Sequence, residues 1–178
     1  MAALQTATLG GGCFWCVEAV YRETQGVESA VSGYMGGTST NPSYREVCSG
    51  SSGHVEVVDV TFDSEVITYR EILEIFFTVH DPTTLNRQGN DVGTQYRSVI
   101  FYHTPQQKAE AEAIIKELDF DKPVVTAIEP ATTFWRAEDY HQDYLANHPE
   151  EGYCMFVVTP KVEKFRKKFA TRRKAANG

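Results

Sequence analysis

The chain lacks any run of 18 apolar residues, which excludes a transmembrane helix. It also lacks internal repeats, low-complexity tracts and a Pro-rich linker, so repeat arrays and linker-joined modules find no support. Residues 1–12 lack a basic segment followed by a long apolar stretch; no secretory signal is read there, and a cytoplasmic protein is expected. Cysteine is scarce, with four in 178 residues, too few for a secreted disulfide scaffold. Basic residues are scarce except at the end. Residues 161–178 hold eight Lys or Arg against one Glu, while the remaining 160 hold nine basic and 23 acidic residues. An acidic body argues against nucleic-acid binding as the main role. The short basic end reads as a solvated helix or frayed tail.

What is present is globular. Hydrophobic residues at 42% and charged residues at 23% exclude a disordered chain, and the length fits one domain that folds without disulfides or metal. Its core is expected over residues 5–160, with 161–178 as a basic C-terminal helix or tail. Thr6–Leu9 is a short strand, broken by Gly10-Gly11-Gly12. A helix follows from Cys13 to Gln25, stopped by Gly26. Val27–Tyr34 is a strand, and 35–53 is a loop rich in Gly, Ser, Thr, Asn and Pro.

His54–Asp63 is the clearest strand, its even positions being Glu56, Val58, Val60 and Phe62. Thr68–His80 is a helix opened by a Thr68/Glu71 capping box. Residues 81–97 show no periodicity, and so long a stretch without regular structure is usually functional. Ser98–His103 is a strand, and Thr104 with Pro105 starts a helix to Leu118. Val124–Glu129 is a strand, Ala137–Asn147 a helix and Tyr153–Val158 a last strand before the basic helix. The fold class is α+β: one mixed sheet with packed helices, a two-layer, ferredoxin-like core and long functional loops.

Cys13 follows three glycines and opens a helix. Free backbone N–H groups and the positive dipole end favour a thiolate there, so a low-pKa, approachable nucleophile is expected. Cys16, one turn on, completes a C-x-x-C pair able to close a disulfide. Phe14 and Trp15 between them suit either core packing or an apolar pocket wall. Glu56 shares a strand face with apolar residues, and burial there would keep its carboxyl protonated; the alternative is that it begins the strand at a wet end. Glu18 reads as a solvated helix-face residue and Cys48 as structural. Tyr44, Asp91, Tyr96, Tyr140 and Tyr144 lie in loops or near helix ends, where half-buried packing is the commoner role.

From Gly11-Gly12-Cys13-Phe14-Trp15 onward the sequence resembles the A-type peptide methionine sulfoxide reductases. The likeness continues at Gly33-Tyr34-Met35-Gly36-Gly37, Asn41-Pro42-Ser43-Tyr44, Glu46-Val47-Cys48 and Gly53-His54-Val55-Glu56-Val57. It runs on through His80-Asp81-Pro82-Thr83, Arg87-Gln88-Gly89-Asn90-Asp91, Gly93-Thr94-Gln95-Tyr96-Arg97-Ser98 and Ala137-Glu138-Asp139-Tyr140-His141-Gln142-Asp143-Tyr144. So many blocks in one order exceed chance, whereas a lone C-F-W would be weak.

The resemblance implies reduction of methionine S-sulfoxide, free or in proteins, without metal or bound cofactor. It implies that Cys13 attacks the sulfoxide sulfur, and that Phe14 and Trp15 hold the substrate methyl group. Glu56, Tyr44 and Tyr96 would surround the oxygen, with Asp91 and Tyr144 supporting the site. A sulfenic acid on Cys13 would condense with a second thiol, and thioredoxin would reduce the disulfide. The expected partners are thus thioredoxin and sulfoxide-bearing proteins or free methionine sulfoxide, acting on a monomer with no nucleic acid and no membrane.

The chain departs from the family pattern at Cys16, where Gly is frequent, and in lacking a Gly-rich C-terminal segment with a further cysteine. Cys154, in Gly152-Tyr153-Cys154, matches a resolving position and is the first candidate; Cys16 is a direct resolver or relay. Three rival readings differ in what they leave idle. A thioredoxin-like disulfide oxidoreductase would use Cys13 and Cys16 but not the later loops. A zinc module would need four spaced ligands. A binding module for oxidised peptides would tolerate loss of Cys13.

Overall fold

The computed structural model describes residues 4–169 apart from positions 39, 50, 51, 89, 90, 149, 151 and 153. Its spine is β1 (Leu4–Gly10), α1 (Phe14–Arg22), β2 (Val27–Met35), β3 (Val55–Asp63), α3 (Tyr69–Val79) and β6 (Val99–Tyr102), with α2 (Tyr44–Cys48) between β2 and β3. The short strands β4 (Arg87–Gln88) and β5 (Asp91–Val92) pair with each other. After β6 come α4 (Pro105–Glu117), β7 (Ala127–Pro130), β8 (Trp135–Arg136), α5 (Tyr144–Asn147) and α6 (Thr159–Lys168). The main sheet runs β7-β6-β1-β3-β2-β8, with β7 parallel to β6 and every other pair antiparallel. Its central order β6-β1-β3-β2 is the split βαβ arrangement of a ferredoxin-like core.

Period 2 on β3 separates the two faces of the sheet. Val58, Val60 and Phe62 join the main core beneath the helices, and Val55 and Val57 join a smaller cluster with Met35, Val99 and Phe101 on the other face. β3 is therefore covered on both sides. Glu56 belongs to the helix-side row and is 1% exposed, which removes the wet-end reading. Helix α3 forms as its pattern dictates: the Thr68/Glu71 capping box is present, and Ile72, Leu73, Ile75, Phe76 and Val79 are buried. Each such side chain contributes about 1.5–3 kcal/mol by leaving water.

The differences from expectation have physical causes. Helix α1 ends at Arg22 with Glu23 as its cap, because Thr24 turns back to bond Val20 O and Gly26 takes φ +93° beyond it. Within 35–53, Ser43 caps the short α2 by accepting from the Glu46 amide. Residues 81–97 hold β4, β5 and a 3₁₀ turn at Thr94–Tyr96. The expected helix over 137–147 is a 3₁₀ turn at Asp139–His141 followed by α5, broken where Asp143 adopts a left-handed φ of 53°. The expected strand at Tyr153–Val158 is a wide helical turn over Cys154–Val158 that runs into α6; position 153 lies outside the described residues. Pro160 starts α6 and Val162 and Phe165 are buried, so the first half of the basic end packs on the core and is not simply solvated. Residues 170–178 lie outside the described part. Among the described residues no helix is long and apolar enough to cross a membrane.

Candidate active site

The site forms where β1 gives way to α1. Gly12 holds φ +90°, and a Cβ there would come within 2.7 Å of Gln88 Cγ, so glycine is required on both counts. Gln88 is itself fixed: its Oε1 accepts from the Asp81 amide at 2.9 Å and its Nε2 donates to Asp81 O. Asp81 and Gln88 are thereby tied together against the glycine turn.

Cys13 caps α1 in an extended conformation and is 7% exposed. The low-pKa thiolate expected from the helix terminus is not what the geometry gives. Burial pushes the Cys13 thiol well up, a hydrogen bond with the Cys16 thiol and the nearby Glu56 carboxyl push it further, and the Trp15 amide opposes them. One amide at a helix end does not outweigh loss of water plus an adjacent acid. The resting sulfur is a neutral thiol.

Glu56 enters from β3. Its Oε1 accepts from the Phe14 amide at 3.2 Å, and its Oε2 is buried with no hydrogen-bond partner among the described residues. Burial raises its pKa to about 8, against the Phe14 amide, which lowers it; Asp91 and Cys16 raise it further. The group is a neutral acid at pH 7, with one oxygen engaged and one free to donate.

The aromatic residues divide by function of place. Trp15 is half-buried; its Nε1–H donates to His141 Nδ1 at 3.0 Å, and Tyr144 stacks on its indole at 3.7 Å and 5°. Phe14 is 1% exposed, with Tyr34 at 5.7 Å, His141 at 5.1 Å and Tyr44 at 6.3 Å. Tyr44 opens α2 and its phenol hydrogen-bonds Cys48, one turn on; burial raises its pKa, as do the neighbouring Glu56 and Cys48. Tyr96, at the end of its 3₁₀ turn, is raised by burial and further by the neighbouring titratable groups of Glu56, Cys13, Cys48 and Asp91. Asp91 on β5 is part-buried and close enough to raise Glu56. Cys13, Cys16, Glu56, Tyr44, Tyr96, Phe14, Trp15, Asp91 and Tyr144 thus gather at one corner. Cys154 begins the turn leading into α6, and its side chain lies outside the described part.

Three residues to which sequence reasoning gave no role, and Glu18, which it read as solvated, hold this corner together. Glu138 receives the Tyr34 hydroxyl at 2.9 Å on Oε1 and the Tyr44 amide at 3.0 Å on Oε2. His141 is 1% exposed; because Nδ1 accepts from Trp15, the neutral ring carries its proton on Nε2, which has no partner among the described residues. Glu18, expected on a solvated face, is 1% exposed and accepts from Ser32 Oγ at 2.7 Å, Arg22 Nε at 2.9 Å and the Asp143 amide at 2.5 Å. Gln142 accepts from the Ser32 amide at 3.0 Å and donates to Ser32 O at 2.9 Å, extending the edge beside β8. The available signal was the lack of any helical period in 137–144, where polar and aromatic residues alternate irregularly. Cys48, read as structural, is exposed at the rim beside Tyr44.

A buried thiol, a second thiol in hydrogen-bond contact and a protonated acid define a cysteine-dependent redox site on an α+β scaffold. Among the described residues no group of three or more His, Cys, Asp or Glu is placed to hold a metal ion. The family model described as peptide methionine sulfoxide reductase matches residues 5–173, and the chain belongs to that family. It is 57% identical over 173 residues to the peptide methionine sulfoxide reductase MsrA of Polynucleobacter asymbioticus, covering 95% of this chain and 91% of that one. The crystal structure of reduced Mxr1 from Saccharomyces cerevisiae superposes with a TM-score of 0.81 at 38% identity, covering 85% of this chain and 89% of the yeast chain. Mxr1 in complex with Trx2 matches with a TM-score of 0.57 at 28% identity, over 79% of this chain and 84% of that one.

Proposed function

We propose that the chain reduces methionine S-sulfoxide, free or in proteins, to methionine, with Cys13 as nucleophile and Glu56 as acid. The carrying observation is the unpartnered, buried Oε2 of a protonated Glu56 next to the Cys13 thiol. A sulfoxide sulfur is a poor electrophile because oxide is a poor leaving group. Proton donation from Glu56 to the sulfoxide oxygen polarises the S–O bond, and the low dielectric of the site strengthens that effect. The Glu56 carboxylate so formed takes the Cys13 proton, which supplies the thiolate only when substrate is in place. The sulfur of Cys13 bonds the substrate sulfur; the hydroxyl then passes to Cys13 as that bond breaks, methionine leaves and Cys13 is a sulfenic acid.

Tyr44 and Tyr96 add phenol donors near the oxygen, and Trp15, backed by Tyr144, presents the apolar surface to the methyl group. Asp91 supports by holding the acid's pKa up. Phe14 serves by its amide to Glu56 and by anchoring the aromatic cluster. A second thiol condenses with the sulfenic acid, releasing water and leaving a disulfide. Contact with Cys13 supports Cys16 in that step, and Cys154 remains the alternative by motif. Two electrons from an external dithiol of the thioredoxin type close the cycle, with no bound cofactor.

The test mixes reduced protein with methionine S-sulfoxide and no reductant. About one methionine per chain is expected, with a disulfide from Cys13 to Cys16 or Cys154 located by mass spectrometry. No methionine, with a Cys13–Cys16 bond that only exchanges with other dithiols, would replace this reading with a disulfide oxidoreductase.

A further inference from the structure

One cleft of about 1100 Å³ is lined mostly by residues that the chemistry above does not use. Helix α6 turns Lys161, Lys164 and Lys168 into it, joined by Lys122 from the turn before β7. Positions i, i+3 and i+7 lie along one helix face, over about 10 Å. Phe120, 39% exposed, provides an apolar wall. Gln88 and Asp91 also line it, and these are the residues against Gly12 and beside Glu56. The cleft therefore adjoins the reactive corner and carries a basic wall.

Its charge is unusual for this protein, whose first 160 residues are strongly acidic. Arg22, Arg70, Arg136 and Arg166 are all ion-paired on other surfaces. None of the four cleft lysines stands within 4.0 Å of a carboxylate oxygen among the described residues. The cleft also contains Asp81, Asp91 and Asp121. Asp81 accepts from the Thr83 amide at 2.9 Å and hydroxyl at 2.5 Å and is also close enough to feel Lys122, Asp121 adjoins Lys122 in sequence, and Asp91 serves the reactive corner, so the uncompensated charge is that of the three α6 lysines. The lysine face is left with positive charge to offer.

We propose that this cleft binds an acidic, part-apolar stretch of polypeptide flanking the oxidised methionine in protein substrates. The inference rests on the reductase reading above. Lysine ammonium groups on an exposed wall act as point charges, so the effect falls on association and KM and weakens with salt. Free methionine sulfoxide is too small to reach them.

The test uses dithiothreitol as reductant, so that thioredoxin docking plays no part. Two peptides carry one methionine S-sulfoxide each, flanked on both sides by Glu or by Lys; free methionine S-sulfoxide is the third substrate. The Glu peptide is expected to show a KM about three- to tenfold lower than the Lys peptide at low salt, with the gap closing in 0.5 M NaCl. Lys164 and Lys168 are both exposed, so K164E/K168E leaves the fold intact. That variant should abolish or invert the peptide preference while leaving kcat and the free substrate unchanged. Equal KM values for the two wild-type peptides, or a preference that survives K164E/K168E, would overturn the proposal. So would a K164E/K168E variant that behaves as the unmodified chain with dithiothreitol but is slowed in a parallel assay driven by thioredoxin, which would assign the cleft to the reductant. Failure to reduce the free substrate would instead remove the reductase reading beneath it.

Discussion

Two glutamates, one on α1 and one reaching its N-terminus from β3, are both 1% exposed. At the middle of the helix, Glu18 has its oxygens filled by Ser32, Arg22 and the Asp143 amide. At the N-terminus, Glu56 has one amide on Oε1 and nothing on Oε2 among the described residues. Burial raises both pKa values, but Ser32 and Arg22 hold Glu18 back, whereas Glu56 reaches about 8. The same side chain, equally buried, is a brace in one place and the proposed proton donor in the other. What separates them is the number of donors that meet the carboxylate, since each donor stabilises the charged form. A buried acid left short of partners is the one with chemistry available.

Removing the nucleophile should have the largest effect. Cys13→Ser is expected to abolish methionine release in the single-turnover assay, and retained activity would remove Cys13 from the mechanism. Glu56 comes next. Glu56→Ala should lose about 10²- to 10⁴-fold in first-turnover rate, the range of a lost general acid. Glu56→Gln should keep part of the activity, because an amide donates a hydrogen bond without donating a proton. Equal rates for the two variants would contradict the proton-donor role and make Glu56 resemble Glu18.

The pH profile sharpens the same contrast. The folded pKa of Glu56 lies above its unfolded value, so its stability contribution is complete below the unfolded pKa and is lost as pH rises through about 8. The first-turnover rate should fall across that same upper limb as the acid deprotonates. Both losses should vanish in Glu56→Gln, whose unfolding midpoint should fall less between pH 6 and 9 than that of the unmodified chain. A rate limb near pH 8 that persists in Glu56→Gln would assign it to another group.

How much of this was legible beforehand depends on the range of the interaction. The alternation along 54–63 put Glu56 on a core-facing row, and the capping box fixed the start of α3; both are local patterns that the fold then kept. The direction of the Cys13 shift was not legible. A helix terminus is visible in sequence, but the carboxyl from β3, 43 positions away, and the exclusion of water are tertiary facts. Glu18 failed for the same reason: its partners Ser32 and Asp143 stand 14 and 125 positions away. The 137–147 segment was misread because its bonds run sideways to β2 and α1 and not along a helix. The family blocks named candidate residues while leaving their geometry blank.

Breaking the brace should cost stability before it costs chemistry. Glu18→Ala strips a carboxylate from Arg22, Ser32 Oγ and the Asp143 amide, and about 1–3 kcal/mol of destabilisation is expected from leaving the buried Ser32 hydroxyl and the Asp143 amide without their acceptor. The turn at 142–144 would loosen, and with it the Tyr144 ring stacked on Trp15. Denaturant unfolding should report the stability loss, and KM for the sulfoxide should rise more than kcat falls, because the proposed role of Trp15 is to contact substrate without carrying the proton. Glu18→Gln keeps the packing and the Ser32 contact and should lose less. If either Glu18 variant instead lost its kcat while remaining stable, the division between brace and acid would collapse.

The smallest effect isolates which part of Asp143 matters. Its amide donates to Glu18, while its carboxylate stands 3.6 Å from Arg22 with both side chains about 40% exposed. Such an exposed pair is worth about 0–1 kcal/mol. The backbone sits at φ 53°, where a residue with a Cβ is strained by about 1–2 kcal/mol and glycine is not. Asp143→Gly keeps the amide, relieves the strain and loses only the weak pair, at the cost of extra freedom in the unfolded chain. These terms nearly cancel, so stability should stay within about 1 kcal/mol of the unmodified chain and KM should not move. Asp143→Ala loses the same pair and keeps the strain, so it should unfold at lower denaturant than Asp143→Gly. An Asp143→Gly variant as unstable as Glu18→Ala would mean that the carboxylate of Asp143, and not its amide to Glu18, is what fixes the turn behind Trp15.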